Sequence, residues 1–173
     1  AGRGVPPRLA RAGPAAVEGL SVVSALLDKY REELTGRVLP FWLRHALDRR
    51  HGGYFNCVDG AGEVYDTRKH VWMQGRGAWM FARLYNTFEA RPEYKEAAEC
   101  IFRFVHEFAR RDEPRCWHTL TEDGRPAFFQ RKPYTAFFVA LAHLEYSKIS
   151  KDASHLAEAI DLFWRMEEWI RKP

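Results

Sequence analysis

The stretch Lys69-His-Val-Trp-Met-Gln-Gly-Arg-Gly-Ala-Trp-Met-Phe-Ala-Arg-Leu-Tyr85 decides how the chain is read. Trp72, Trp79, Met80 and Leu84 fall at helical intervals and predict a helix over roughly 70–88. Within it Arg76 lies one turn from Trp72 and Met73, and one turn from Trp79 and Met80. A guanidinium on an aromatic stripe is costly to bury unless an anion, carbonyls or a polar ligand meets it. Gly75 and Gly77 flank Arg76 at a cost of about 1 kcal/mol each relative to Ala in a helix interior. Glycine there lets something approach the backbone closely. Two readings stand side by side. Either Arg76 projects into a cleft walled by indole rings and suited to a polyhydroxylated ligand, or it stacks on Trp72 or pairs with an acid for packing alone.

Upstream, His51-Gly-Gly-Tyr-Phe-Asn-Cys-Val-Asp-Gly-Ala-Gly-Glu-Val-Tyr65 reads as two short strands around a Gly-rich turn at 59–62. Before that, Leu26, Tyr30, Leu34, Val38 and Trp42 recur every four residues. They mark a first helix that Pro40 kinks, or after which a second segment opens at Phe41. Downstream, Pro92 is a natural first-turn residue for a third helix, with Tyr94, Ala97, Ala98, Ile101, Val105 and Phe108 on its apolar face. Residues Cys116 to Phe129 give a second hairpin turning at Asp123-Gly124. A fourth helix is expected over about 134–148 and a fifth over about 153–171.

This order repeats. Tyr85 and Tyr146, Ala98 and Ala159, Ile101 and Leu162, and Phe102 and Phe163 all lie 61 residues apart. Gly62 and Gly124 lie 62 apart, and Lys69 and Lys132 lie 63 apart. The unit is helix, hairpin, helix, and such a period marks helix pairs that bury their apolar faces only against neighbours. Five helices do not close a ring of pairs, which leaves a short open array or the front part of something longer, and the second is the expectation. In the second unit Tyr134 falls near the position of Val71 or Trp72. Its phenol is either a hydrogen-bonding group for the same ligand or a core aromatic at a helix start.

The 173 residues are 46% apolar, 29% charged and 14% aromatic, a globular composition large enough for a single core. The longest uninterrupted apolar run, Ala136 to Ala142, is far too short to span a bilayer. Residues 1–17 hold three arginines and no acid, and without them the net charge falls from +4 to +1. A nucleic-acid partner is therefore not expected. Residues 1–19 are expected to be a disordered tail, with 20–173 as the folded part. Cys57, Cys100 and Cys116 are odd in number and widely spaced, which speaks against a disulfide framework and for a reducing compartment. No two histidines sit at ligand spacing, so no metal site is expected. The carboxylates are scattered, and no phosphate loop or nucleophile elbow is present.

The quoted residues resemble the N-acylglucosamine 2-epimerase family. The likeness rests on Pro40-Phe-Trp42, Asp48 through Phe55, Gly62-x-Val64-Tyr-Asp66 and Lys69-x-Val-Trp-Met-Gln-Gly-Arg76. It continues through Trp79, Arg83-Leu-Tyr85, Leu120-Thr-x-Asp-Gly-Arg-Pro126 and Gln130-Arg131, covering about 30–170. The resemblance implies an all-α fold, the front part of an (α/α)6 barrel whose helix pairs are linked by short β-hairpins, with even-numbered helices in an inner ring. The second and fourth helices, carrying Arg76 and Tyr134, would belong to that ring.

The activity it implies is interconversion of N-acetylglucosamine and N-acetylmannosamine by removal and return of the C2 proton. Arg76 would be the catalytic arginine, with Trp72, Gln74 and Tyr134 as substrate-binding residues. No cofactor is required, while ATP is implied as an allosteric activator acting at a loop beyond this chain. Implied partners are an amino sugar, a second copy of the chain and renin, with no membrane, and the implied compartment is the cytoplasm. The family's catalytic histidines and acid have no counterpart here, so this chain alone is expected to be inactive. A protein-binding module and a mannose or cellobiose isomerase of the same fold are the alternatives.

Overall fold

A computed structural model describes residues 14–112 and 115–171, which divide at Pro40 into two compact units. In the first unit, helix α1 spans Pro14–Glu33 and a π-helical turn spans Leu34–Val38. Residues 14–19, expected as tail, are thus helical, since Ala15, Ala16 and Val17 behind a first-turn proline can enter a helix. Residues 1–13 of the expected tail lie outside the described residues. Helix α2 spans Leu39–His45, so the new segment opens one residue before Pro40, not after it. Proline has no N–H to donate to Gly36, and the backbone widens ahead of it, with the Leu39 N–H reaching Leu34 O.

The second unit holds the repeat. Strands β1 (Cys57–Val58) and β2 (Val64–Asp66) form the first hairpin as expected. Asp59 closes its turn by accepting from the N–H groups of Ala61 and Glu63. Strand β3 (Lys69–His70) leads into α3 (Val71–Thr87), which is followed by α4 (Pro92–Phe108). After these come β4 (Arg110–Asp112), β5 (Arg115–Cys116), β6 (Thr119–Leu120) and β7 (Pro126–Phe128). Helices α5 (Tyr134–Ser150) and α6 (Ala153–Arg171) complete it.

The second hairpin is narrower than the sequence suggested. Cys116 belongs to β5, which pairs back with β4, and only β6 and β7 flank the Asp123-Gly124 turn. Strand β6 also pairs antiparallel with β3, so the strand that leads into α3 joins the second hairpin in one three-stranded sheet, while β1 and β2 stay a separate pair. That pairing brings Lys69 opposite Leu120 across fifty residues of chain, which no local pattern announces.

Helix α3 packs on both α5 and α4, and α5 packs on α6. The core runs between them through Ala78, Phe81, Ala82, Tyr94, Ala97, Ile101, Phe104, Val139, Ala142 and Leu162, all buried. Gly62 and Gly124 take the same left-handed backbone, at φ +96° and +90°. In each repeat the turn glycine lies against the aromatic ring that ends the preceding helix, His45 in one and Phe108 in the other. A side chain at either glycine would collide with that ring.

One buried ion pair ties these parts together. The Lys69 ammonium is fully buried and donates to Asp48 Oδ2 at 2.6 Å, to Gly52 O at 2.7 Å and to Glu122 O at 2.7 Å. Its three protons are all used. Asp48, 3% exposed, accepts from the N–H groups of Arg50 and His51 through its other oxygen. Burial pushes the Asp48 carboxyl up, but the Lys69 ammonium and the His51 and Arg50 N–H groups together hold it below the usual 3.8.

Lys69→Met leaves Asp48 buried without its partner and is expected to lower unfolding free energy by about 3–5 kcal/mol, measured by urea denaturation of the whole chain. A loss below 1 kcal/mol would show that the ion pair is not what holds the loop. The depressed Asp48 pKa also fixes a pH dependence. The unfolded chain takes up this proton more readily, so the contribution is complete above about pH 3.8 and drains away as pH falls through the lower native value. Urea midpoints followed downward from pH 5 are expected to fall less steeply in Asp48→Asn than in the parent chain.

Candidate functional site

Helices α3 and α5 start side by side, and their first turns carry most of the residues expected to meet a ligand. Trp72 lies 5.7 Å from the ring of Tyr134 and 5.8 Å from that of Phe138, and those two rings are 5.1 Å apart. This three-ring cluster is built across the two helices. Tyr134 is 53% exposed, and among the described residues its hydroxyl has no partner, so the phenol caps the cluster with a free polar edge.

Arg76, one turn beyond Trp72, is exposed. Among the described residues it makes no hydrogen bond, ion pair or ring contact. The packing reading, in which an acid or an indole ties it down, therefore has no partner to name. Nor does Arg76 lie within a closed cleft, since its side chain stands open to solvent. Its charge reaches Tyr54, whose phenol is pushed up strongly by burial and drawn back a little by the guanidinium. Arg83, two turns along the same helix, shows the contrast, because its guanidinium sits 3.7 Å from the buried Glu145 carboxylate.

Gln74 is placed differently from its expected ligand-binding role. It is fully buried, and its amide grips a neighbouring loop. Oε1 accepts from the Tyr54 N–H at 2.9 Å, and Nε2 donates to Tyr54 O at 2.7 Å and to Asn56 Oδ1 at 3.4 Å. A side chain so engaged positions the loop and cannot reach a sugar. The flanking glycines are explained in the same way. A Cβ at Gly75 would come within 2.6 Å of the Phe138 backbone, and one at Gly77 within 2.6 Å of the Tyr54 ring. What approaches this backbone closely is the protein itself.

Sequence reasoning did not anticipate the polar edge at the start of α3. Asn56 accepts from the His70 N–H at 3.0 Å, and its amide nitrogen lies 2.8 Å from His70 Nδ1. His70 and His118 stand edge to face at 5.6 Å, and burial, followed by repulsion from His70, pushes the His118 pKa down. The two histidines meet only because β3 pairs with β6, so their spacing of 48 residues carries no signal.

Away from this edge, an apolar cavity of about 300 Å³ opens between α5 and α6, lined mainly by Phe137, Leu141, Leu144, Ile160, Phe163 and Trp164. Phe163 is 45% exposed, although Phe102, its counterpart one repeat earlier, is buried.

Comparison with known proteins places this geometry. The sequence model of the N-acylglucosamine 2-epimerase (GlcNAc 2-epimerase) family matches residues 53–171. The N-acylglucosamine 2-epimerase of Mus musculus is 38% identical over 145 residues, 82% of this chain and 35% of that protein. The Homo sapiens protein is 36% identical over 154 residues, covering 87% and 36% respectively. Among solved structures, cellobiose 2-epimerase from Bacillus thermoamylovorans superposes with a TM-score of 0.74 at 25% identity, covering 83% of this chain and 37% of that one. The chain spans about a third of the length of the curated relatives it matches. Its helix pairs are those of an (α/α)6 barrel, of which it covers a similar share.

The two neighbouring positions separate packing from function. Gly75→Ala drives a methyl group into the α5 backbone and is expected to cost about 1–3 kcal/mol. Arg76→Ala removes an exposed, unpartnered side chain and should shift stability by less than about 0.5 kcal/mol. Thermal and urea unfolding of the two variants checks this pair of values, and a collapse of Arg76→Ala would restore the packing reading.

Proposed function

Since this chain belongs to the N-acylglucosamine 2-epimerase family, we propose that its α3–α5 edge serves a sugar 2-epimerase that interconverts N-acetylglucosamine and N-acetylmannosamine. Arg76, charged, exposed and unpartnered beside Trp72 on a motif helix, is the observation that carries this reading.

The chemistry explains why a free guanidinium belongs there. In the ring-opened sugar the C2 hydrogen lies beside an aldehyde and is only weakly acidic. When a base takes that proton, the electron pair of the C–H bond moves toward C1, and negative charge gathers on the carbonyl oxygen. A fixed cation facing that oxygen lowers the barrier more than it favours the resting sugar. The proton is then returned to the opposite face of C2, which inverts the centre. Arg76 supplies the charge, Trp72 offers an apolar face to the sugar, and the Tyr134 hydroxyl offers a hydrogen bond to its polar rim. Gln74 acts at one remove by holding Tyr54 and Asn56 in place.

Two acid–base groups must flank C2, each tuned near neutrality. The motif that carries Arg76 does not supply them, so this chain is proposed to bind amino sugar without turning it over. ATP activation, self-association, renin as a protein partner and a cytoplasmic setting are proposed with the same reading. The odd number and wide spacing of the cysteines support a reducing compartment. Among the described residues no helix is long and apolar enough to cross a membrane.

A second reading has its own observation. The open apolar face of α5 and α6, with Ile160, Phe163 and Trp164 exposed, supports a protein-binding role.

Quenching of tryptophan fluorescence by N-acetylmannosamine separates the two. The parent chain is expected to titrate saturably, and Arg76→Ala to bind at least about tenfold more weakly, a loss of roughly 1.4 kcal/mol. N-acetylglucosamine formation is expected to stay at buffer background. Equal binding by parent and variant would remove Arg76 from the site, and measurable turnover would show that the acid–base groups lie within this chain.

A further inference from the structure

Three histidines that sequence spacing keeps far apart converge in the fold. His106 lies near the end of α4, His143 lies in the middle of α5, and His155 lies in the first turn of α6. Their ring centroids form a nearly equilateral triangle with sides of 5.4, 5.4 and 5.6 Å. One ring nitrogen from each lies within 4.8 Å of the other two. His106 is exposed, His155 half-buried and His143 only 3% exposed, so the triangle opens to solvent along one edge. The sequence offered no pair at ligand spacing, and the expectation of no metal site rested on local patterns of this kind.

A second observation points to a ligand. His143 Nδ1 is buried with no hydrogen-bond partner, a condition that costs a buried polar atom about 1–3 kcal/mol unless something meets it. The surrounding contacts do not supply that partner. Phe102 stands edge to face against His143 at 4.9 Å and against His155 at 4.8 Å, and it stacks on Tyr146 at 3.9 Å. Aromatic packing explains why the rings gather, but it leaves the nitrogen unsatisfied.

We propose that His106, His143 and His155 form a binding site for a divalent transition metal, with zinc as the natural occupant. An all-imidazole donor set suits zinc, nickel or copper and does not suit calcium or magnesium, which take oxygen. Tetrahedral zinc with bonds of 2.0–2.1 Å brings its nitrogens to about 3.3 Å from one another. The exposed His106 and half-exposed His155 have the rotamer freedom to close the remaining distance around the fixed His143. Burial, reinforced by the charges of His106, His155 and Arg110, holds His143 at about 3, and the neutral imidazole is the form a metal takes.

The local charge balance tolerates a cation. Arg110 is tied to Glu158 at 2.7 Å, and the carboxylates of Asp152 and Glu158 both act on His155. Three protein ligands leave a fourth position open for water. His143 lies nine residues past Tyr134, about 13 Å along α5. The metal site is therefore separate from the sugar edge, and it stands or falls without it. Bound metal would staple the end of α4 and the start of α6 to the middle of α5.

The test uses the whole chain, stripped with a chelator and titrated first with cobalt(II) and then with zinc chloride. Saturable 1:1 binding is expected, with visible cobalt bands of a four-coordinate nitrogen site and a higher melting temperature in zinc. His106→Ala and His155→Ala, both at solvent-accessible positions, should each weaken zinc binding at least about tenfold while leaving the far-ultraviolet circular dichroism unchanged. His51→Ala, at a turn outside the cluster, should bind as the parent does. Binding that survives both helix variants overturns the proposal. So does thiolate-to-cobalt charge transfer, which would assign the metal to the cysteines, and so does a titration with no saturable phase.

Discussion

A lysine ammonium with no access to water is the constraint on which the second unit depends. Removing Lys69 and Asp48 from water costs several kcal/mol per ion, and mutual attraction offsets this only when every remaining donor and acceptor is filled. Here they are filled by three different pieces of chain: the loop at 48–52, the start of α3 and the second hairpin at Glu122. The pair therefore acts as a register pin. If β3 slid by one residue, Lys69 would turn to the other face of its strand and the buried carboxylate would lose its partner. Phe104 and Phe55 complete the enclosure, with the ammonium 4.4 and 5.4 Å from their rings.

With the start of α3 fixed, the rest of the site edge follows by short range. Gln74 locks Tyr54 and Asn56 against the helix, and Asn56 in turn holds His70. Gly75 lets α5 come so close that no side chain fits between the helices, which brings Tyr134 and Phe138 onto Trp72. Arg76 is what this arrangement leaves over. It is a charge on a helix, open to solvent, while Gln74, Gly75 and Gly77 around it are packed against Tyr54, Asn56 and Phe138. The contrast with Arg83, held by Glu145, shows that the helix can satisfy an arginine where it serves structure.

The repeat is a statement about backbone more than about burial. Helices α3 and α5 start 63 residues apart, α4 and α6 start 61 apart, and the two turn glycines share one conformation. Yet Lys69 is fully buried while Lys132, its sequence counterpart, is exposed. Phe102 is buried and Phe163 is not. Stacked helix pairs bury a face only where a neighbour covers it, so equivalent positions acquire different environments along the array. The histidine triangle belongs to the same effect: Phe102 and the rings around it gather where α4, α5 and α6 meet.

By itself the sequence determined the helices from α3 to α6 to within two or three residues, the first hairpin, the period and the motif around Arg76. All of these are written in local spacing, turn chemistry or a family's characteristic string. It also marked Gly75 and Gly77 as unusual, but it could not tell a ligand's approach from the protein's own. Tertiary structure alone decided that Gln74 faces inward, that Cys116 pairs with the strand before it, and that β3 joins β6. It alone decided that His106, His143 and His155 share one space. Except for Cys116, whose partner Arg110 is close in sequence, these rest on residues brought together by packing across a dozen to about fifty positions, where spacing along the chain carries no information about distance.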